Sequence, residues 1–109
     1  MPDVTAERRG ATRYPLVLAA DVIEISSGTK LHVRTADISA TGCYLDTLNP
    51  VPVGSQVRLT ISHHDEVVEA AGRIMYVIPG LGMGVAFQGV LPEQQARLKR
   101  WLEATDQAP

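Results

Sequence analysis

Three arginines, Arg8, Arg9 and Arg13, stand within six positions of one another near the start of the chain. An arginine presents a planar fork of donors that fits two oxygens of a phosphate, or O6 and N7 of guanine. Arg9 and Arg13 are four residues apart, which on a helix would put both forks on one face. Gly10 and the nearby Pro15 argue against a helix. The segment then reads either as an extended loop that wraps two arginines around one anion, or as a solvated basic tail. A second constellation is Asp37-Ile38-Ser39-Ala40-Thr41-Gly42. In extended backbone Asp37 and Ser39 point the same way. A carboxylate there can accept hydrogen bonds from guanine N1–H and N2–H. Ser39 can add a hydroxyl contact or bond its own backbone. Gly42 permits a positive φ and lets a ligand approach the main chain. The alternative is an ordinary Asx or Ser turn closing a hairpin. Together the two clusters describe a receptor for an anionic guanine nucleotide, one supplying forks for phosphate and the Hoogsteen edge, the other an acceptor for the Watson–Crick edge.

Other chemistry-bearing residues lead nowhere comparable. Cys43 sits in an apolar run with no motif around it and reads as a buried, inert thiol. His63, His64, Asp65 and Glu66 are metal-ligand types, but neighbours in a turn rarely converge on one ion, so a solvated hairpin turn is expected. His32 falls on the wet side of its strand. Gly80, Gly82 and Gly84 form Gly-x-Gly-x-Gly, yet a strand follows rather than a helix, which excludes a dinucleotide fingerprint. Those glycines are expected to allow a tight turn and close strand packing. No nucleophile elbow, P-loop or catalytic constellation appears, so the reading is a binding protein and not an enzyme, with no cofactor and no metal.

The elements that must position these residues are short strands. Leu16 to Ile25 is aliphatic and β-branched. Ser26-Ser27-Gly28 turns, and Leu31 and Val33 alternate with His32 and Arg34 in a returning strand. Cys43 to Leu48 is a third strand. Val57, Leu59 and Ile61 alternate with Arg58, Thr60 and Ser62 in a fourth. Val67 to Ile78 is long, with a bend expected near Ala70-Ala71-Gly72, and Met83 to Val90 is the last. The period then changes. Pro92 and Glu93 suit a helix start, and Leu91, Gln95, Leu98 and Leu102, with Trp101 beside them, line one face. This predicts a mainly β fold, an antiparallel barrel or sandwich with the helix covering an open end. Residues 1–13 are expected to be a flexible segment, 14–104 the folded domain and 105–109 a frayed tail.

Composition bounds the function. With 109 residues, 45% hydrophobic and 20% charged, the chain is one globular domain. A net charge of −2 and 5% aromatics argue against a general nucleic-acid surface. The longest apolar run, Tyr14 to Ala20, is far short of the ~18 residues of a spanning helix. The first ten residues have no apolar signal region, and one cysteine allows no intrachain disulfide, so a cytoplasmic location without membrane insertion is expected.

Arg9-x-x-x-Arg13 followed by Asp37-x-Ser39-x-x-Gly42 resembles the pair of motifs of the PilZ domain family, in order and separation. Gly72-Arg73-Ile74-Met75-Tyr76 and Gly82-Met83-Gly84-Val85-Ala86-Phe87 resemble that family's last two barrel strands. The resemblance spans Arg8 to Leu102. It implies a six-stranded antiparallel β-barrel with a C-terminal α-helix, and binding of cyclic di-GMP, a bacterial second messenger. Arg9 and Arg13 would grip phosphates and guanine edges, Asp37 and Ser39 would hold a guanine, and Gly42 would leave room for it. The residue before the first motif arginine is Arg8, another fork, which implies an intercalated messenger dimer on one chain. Tyr76 either stacks on an exposed guanine or belongs to the core or barrel rim. The implied mechanism orders the arginine segment over the barrel and presents a new surface to a protein partner. The alternative is a PilZ-like adaptor that works without nucleotide.

Overall fold

In this computed structural model, residues 12–106 are described; Arg8 and Arg9 lie outside them. Among the described residues there are six strands and one helix: β1 (Ala19–Glu24), β2 (Lys30–Ile38), β3 (Gly42–Asp46), β4 (Gln56–His63), β5 (Glu66–Ile78), β6 (Gly82–Gly89) and α1 (Pro92–Asp106). The strands are antiparallel and close into a barrel in the order β1-β2-β3-β6-β5-β4. Closure leaves no open sheet edge.

The expected alternation holds where it was clearest. Val57, Leu59 and Ile61 of β4 point inward, and so do Ala20 and Val22 of β1. They meet Cys43, Leu45, Val68, Ile74, Met83 and Val85 in one core. The bend expected in β5 appears as two register shifts against β6, at Ala71/Gly72 and at Ile74/Tyr76. After the second shift both Met75 and Tyr76 face outward.

Among the boundaries that differ, β3 stops at Asp46 rather than Leu48, and two others have a clear physical cause. β1 begins at Ala19 rather than Leu16, because the preceding residues form a strap across β2 instead of a ladder strand. Buried Thr35 pins that strap: its hydroxyl donates to the Leu16 carbonyl at 2.6 Å and accepts from the Leu18 N–H at 2.9 Å. The helix runs through Thr105 and Asp106, where fraying was expected, and the Thr105 hydroxyl donates to the Trp101 carbonyl at 3.0 Å. On the helix, Leu98, Trp101 and Leu102 are buried, whereas Leu91 and Gln95 of the expected face are exposed. The helix starts beside Glu69, whose N–H donates to Gln94, and runs towards Glu66 at the start of β5, so its middle turns are the ones that reach the core.

Candidate functional site

The turn from β2 to β3 lies at the helix-bearing end of the barrel. Ser39 is buried, and its hydroxyl accepts from the N–H groups of Thr41 and Gly42, both at 3.1 Å. Its own N–H donates to the Gly42 carbonyl at 2.8 Å. Of the two roles open to Ser39 in the sequence, the backbone one is occupied here. Gly42 does not take the positive φ that the sequence reading allowed; among the described glycines that role belongs to Gly28, Gly54 and Gly80. A Cβ on Gly42 would lie only 2.2 Å from the Val85 carbonyl oxygen. The glycine is therefore needed for close approach of β3 to β6.

A register shift in β2 between Thr35 and Asp37 re-aims Asp37 just before the turn. Its carboxylate meets Arg13, with Nε at 3.1 Å and Nη2 at 2.8 Å, both on Oδ1. The pair is half-exposed, at 45% and 32%. Backbone geometry holds it there. Tyr14 N–H donates to the Ile38 carbonyl at 2.8 Å, and Ile38 N–H returns to the Tyr14 carbonyl at 3.0 Å. The residues after Arg13 and Asp37 are thus locked side by side, and the two motifs meet although 24 residues separate them.

Beside this pair is a cleft of about 160 Å³ on the outer face of β3, β6 and β5. Arg13, Ser39, Gly42 and Tyr76 line it, with Met75 and Ala86. Asp37 adjoins it through Arg13. Tyr76 is neither a core nor a purely rim residue. Its ring lies flat on Gly84, where an added Cβ would be 2.2 Å from Cε2, and it remains 45% exposed. Tyr44, which the sequence reading did not single out, reaches Gly82 with its hydroxyl end, where an added Cβ would be 2.7 Å from Oη and 2.2 Å from the Leu45 carbonyl oxygen, and stacks on Tyr76 with centroids 6.2 Å apart and 25° between planes. The available signal was the alternating glycines of β6, which leave room for a neighbour's side chain. A larger groove of about 420 Å³ between Tyr14 and α1 is lined by Ala40, Leu98, Leu102, Lys99 and Glu103, and holds none of the predicted site residues that fall within the described range.

The other candidates have structural surroundings. Cys43 is buried, and burial pushes its thiol up to about 12, which makes it unreactive. The turn at His63–Glu66 is less solvated than expected. His64 has a φ of 58°, and His63 packs edge-on against Trp101 at 5.2 Å. Glu66 receives two Arg100 nitrogens at 3.0 and 2.9 Å and the Trp101 indole N–H at 2.8 Å. The Arg100 hydrogen bonds, then that of Trp101, hold its carboxyl down at about 2. Arg97 adds a bond to the Val67 carbonyl at 2.7 Å. This cluster docks the helix.

The chain matches the PilZ domain family over residues 7–104. No curated protein sequence matches it. Among solved structures, it is similar to the PilZ domain of CeSA from a cellulose-synthesizing bacterium, with 20% identity and a TM-score of 0.69, covering 84% of this chain and 98% of that one. YcgR from Escherichia coli in complex with c-di-GMP is 15% identical at a TM-score of 0.74, covering 91% of this chain and 46% of that one. The Bacillus subtilis inhibitor of motility MotI/DgrA is 18% identical at 0.69, covering 88% and 52%. The chain therefore spans about half the length of YcgR and of MotI/DgrA.

Proposed function

From the premise that this chain belongs to the PilZ domain family, we propose that it is a receptor for cyclic di-GMP that signals through a protein partner and catalyses no reaction. The observation that carries the reading is the junction of the two motifs: Arg13, paired with Asp37, lines one open cleft on a PilZ barrel together with Ser39 and Gly42, which are distant from it in sequence. The similar fold of YcgR bound to c-di-GMP supports the choice of ligand.

In this reading Arg9 and Arg13 take the phosphates and the guanine Hoogsteen edge, and Asp37 accepts from the Watson–Crick edge. Ser39 and Gly42 shape the turn beneath the base, and Tyr76 offers a ring face at the far side of the cleft. Arg8 adds a third fork, suited to the four phosphate charges of an intercalated messenger dimer. Ligand binding orders the arginine segment against the barrel, at a cost that the charge-assisted contacts exceed. The ordered segment and nucleotide form the surface that the partner reads. The proposed setting is the bacterial cytoplasm, without nucleic-acid binding or membrane insertion; no helix among the described residues is long and apolar enough to cross a membrane.

Isothermal titration with cyclic di-GMP tests this, with Arg9→Ala and GTP as controls. Saturable heat that is lost in Arg9→Ala supports the receptor, and a stoichiometry near two supports the role of Arg8. Ligand at ~100 times Kd stabilises a fold by about 2.7 kcal/mol, so a thermal shift covers the case of near-zero enthalpy. Equal amide protection of Arg8 to Tyr14 with and without ligand removes the ordering step. One observation favours a second reading: Arg13 and Asp37 pair with each other, as they would in a nucleotide-independent adaptor. Silence in both assays would select it.

A further inference from the structure

A closed antiparallel barrel gathers its connections at two ends. The β2–β3 turn, the β4–β5 turn and the passage from β6 to α1 lie at the helix-bearing end. Residues 25–29, 47–55 and 79–81 join the strands at the other. None of these three connections contains a charged residue, in a chain that is 20% charged. Their tips are aliphatic instead. Leu48, Leu81, Val53 and Ile25 each leave more than half of their surface in solvent, and exposed Ile78 stands beside them at the end of β5. Single exposed aliphatics are ordinary, but a group collected at one end marks a binding surface.

The tips are held rather than loose. Val51 is buried and anchors the 47–55 connection in the core. Thr47 N–H donates to the Leu81 carbonyl at 3.0 Å, which brings Leu48 close to Leu81. Ile25 N–H donates to the Gln56 carbonyl at 2.9 Å, and Gly54 N–H to that of Ile74 at 2.8 Å. The carboxylate of Glu24, next to Ile25, accepts from the Ser27 and Ser55 hydroxyls at 2.7 and 2.8 Å. A surface already fixed loses little freedom when it docks.

Behind the tips stand Lys30, Arg58 and Arg73, all exposed and in no ion pair among the described residues. Lys30 and Arg58 flank Ile23 on the two neighbours of β1, and Arg73 lies opposite Gln56 at the start of β4. Asp46, next to Thr47, lies opposite Arg34 in the β2–β3 register. Cations are therefore in excess at this end, although the chain as a whole carries −2. We propose that the uncharged end is a docking surface for an anionic lipid bilayer. The aliphatic tips enter the headgroup boundary, and the collar of Lys30, Arg58 and Arg73 meets lipid phosphates. The barrel lies on the membrane and spans nothing, in keeping with the proposed cytoplasmic setting. A second copy fits less well, because an isologous contact sets this cationic collar against itself. A nucleic acid fits less well too, since none of the three connections holds an aromatic ring to stack on a base. The Arg13–Asp37 pair lies at the opposite end, so the docked barrel leaves it open to solvent.

Flotation of the full chain with lipid vesicles tests this, with thermal melts of every variant. Vesicles of phosphatidylglycerol and phosphatidylethanolamine in equal parts are compared with vesicles of phosphatidylcholine. The expected result is binding to the anionic vesicles that falls as salt rises. Leu48→Ser and Leu81→Ser should each weaken it about tenfold, and Arg58→Gln and Arg73→Gln about fivefold each, with unchanged melts because these side chains are exposed. Lys99→Gln, on the exposed side of the helix, should leave it unchanged. No binding to the anionic vesicles overturns the proposal, and so does equal binding to phosphatidylcholine. Binding that survives Leu48→Ser combined with Leu81→Ser overturns it by placing the contact elsewhere. A concentration-dependent dimer in sedimentation that Leu81→Ser dissolves, without vesicle binding, overturns the lipid surface and gives this end to a second copy. No step uses cyclic di-GMP, so failure here and failure of the receptor reading are told apart.

Discussion

At the helix-bearing end of the barrel, Arg100 meets Glu66 through two nitrogens and both oxygens, and the Trp101 indole adds a third donor. Not far along the same rim, Arg13 meets Asp37 through a single oxygen, with no further donor among the described residues. Both are arginine–carboxylate pairs, yet their surroundings assign them different work. Glu66 ties a helix whose Leu98, Trp101 and Leu102 are already buried, so every bond around it is reinforced by packing. Asp37 sits at a strand shift beside an open cleft; its pair, at 45% and 32%, is no more exposed than Arg100–Glu66 at 59% and 37%, so the single shared oxygen and the lack of a further donor among the described residues are what set it apart. The difference teaches that an ion pair becomes a structural lock through the neighbours that share it, and that one left with a single shared oxygen stays available for exchange.

The largest expected effect lies on the lock side. Trp101→Ala removes a buried indole and one of the Glu66 donors, and should cost about 3–5 kcal/mol in chemical denaturation. A loss below 1 kcal/mol would show that the helix is an optional cover. Gly42→Ala comes next. Its Cβ meets the backbone carbonyl of Val85, which cannot swing aside as a side chain would, so a loss of roughly 1–3 kcal/mol is expected. A neutral Gly42→Ala with weakened nucleotide binding would instead place the glycine in the ligand's path.

A third test uses pH. The Glu66 carboxyl titrates at about 2 in the fold against an ordinary value of 4.5. A lowered carboxyl contributes stability that is complete above its unfolded value and is lost as pH falls through the folded one. Stability of the wild type should therefore decline between about 4.5 and about 2, and Glu66→Gln should flatten that part of the profile. An unchanged slope would remove Glu66 as the lock. The smallest effect belongs to the exchangeable pair. Asp37→Asn should alter stability by at most about 1 kcal/mol in the same denaturation assay. A larger loss would make Asp37 a second structural lock and erase the contrast.

Much of this arrangement was legible in the residues. Period-two alternation in Val57–Ser62 and turn residues at Ser26-Ser27-Gly28 are local signals, and local backbone preference carries them into strands without help. The spacing of Arg9, Arg13, Asp37, Ser39 and Gly42 singled out a candidate site, and the fold brings Arg13, Asp37, Ser39 and Gly42 of that set together. Less legible was anything that depends on which strands become neighbours. That Gly42 faces the Val85 carbonyl, and that Gly82 and Gly84 lie under Tyr44 and Tyr76, follows from β3 and β5 flanking β6. That Thr35 is a buried anchor follows from a strap crossing β2, for which a lone threonine in a strand gives no signal.

The amino-acid sequence by itself determined the element types, the six-strand count and the chemical types gathered in two short motifs, because these depend on side-chain periodicity and on functional groups within a few residues. Only the tertiary structure decided that Arg13 closes on Asp37, that the Ser39 hydroxyl turns back on its own backbone, and that Leu91 stays in water while Trp101 does not. Those outcomes depend on barrel closure, strand register and the angle at which the helix lands. They are set by packing between segments far apart in the chain, a quantity that no local run of residues contains.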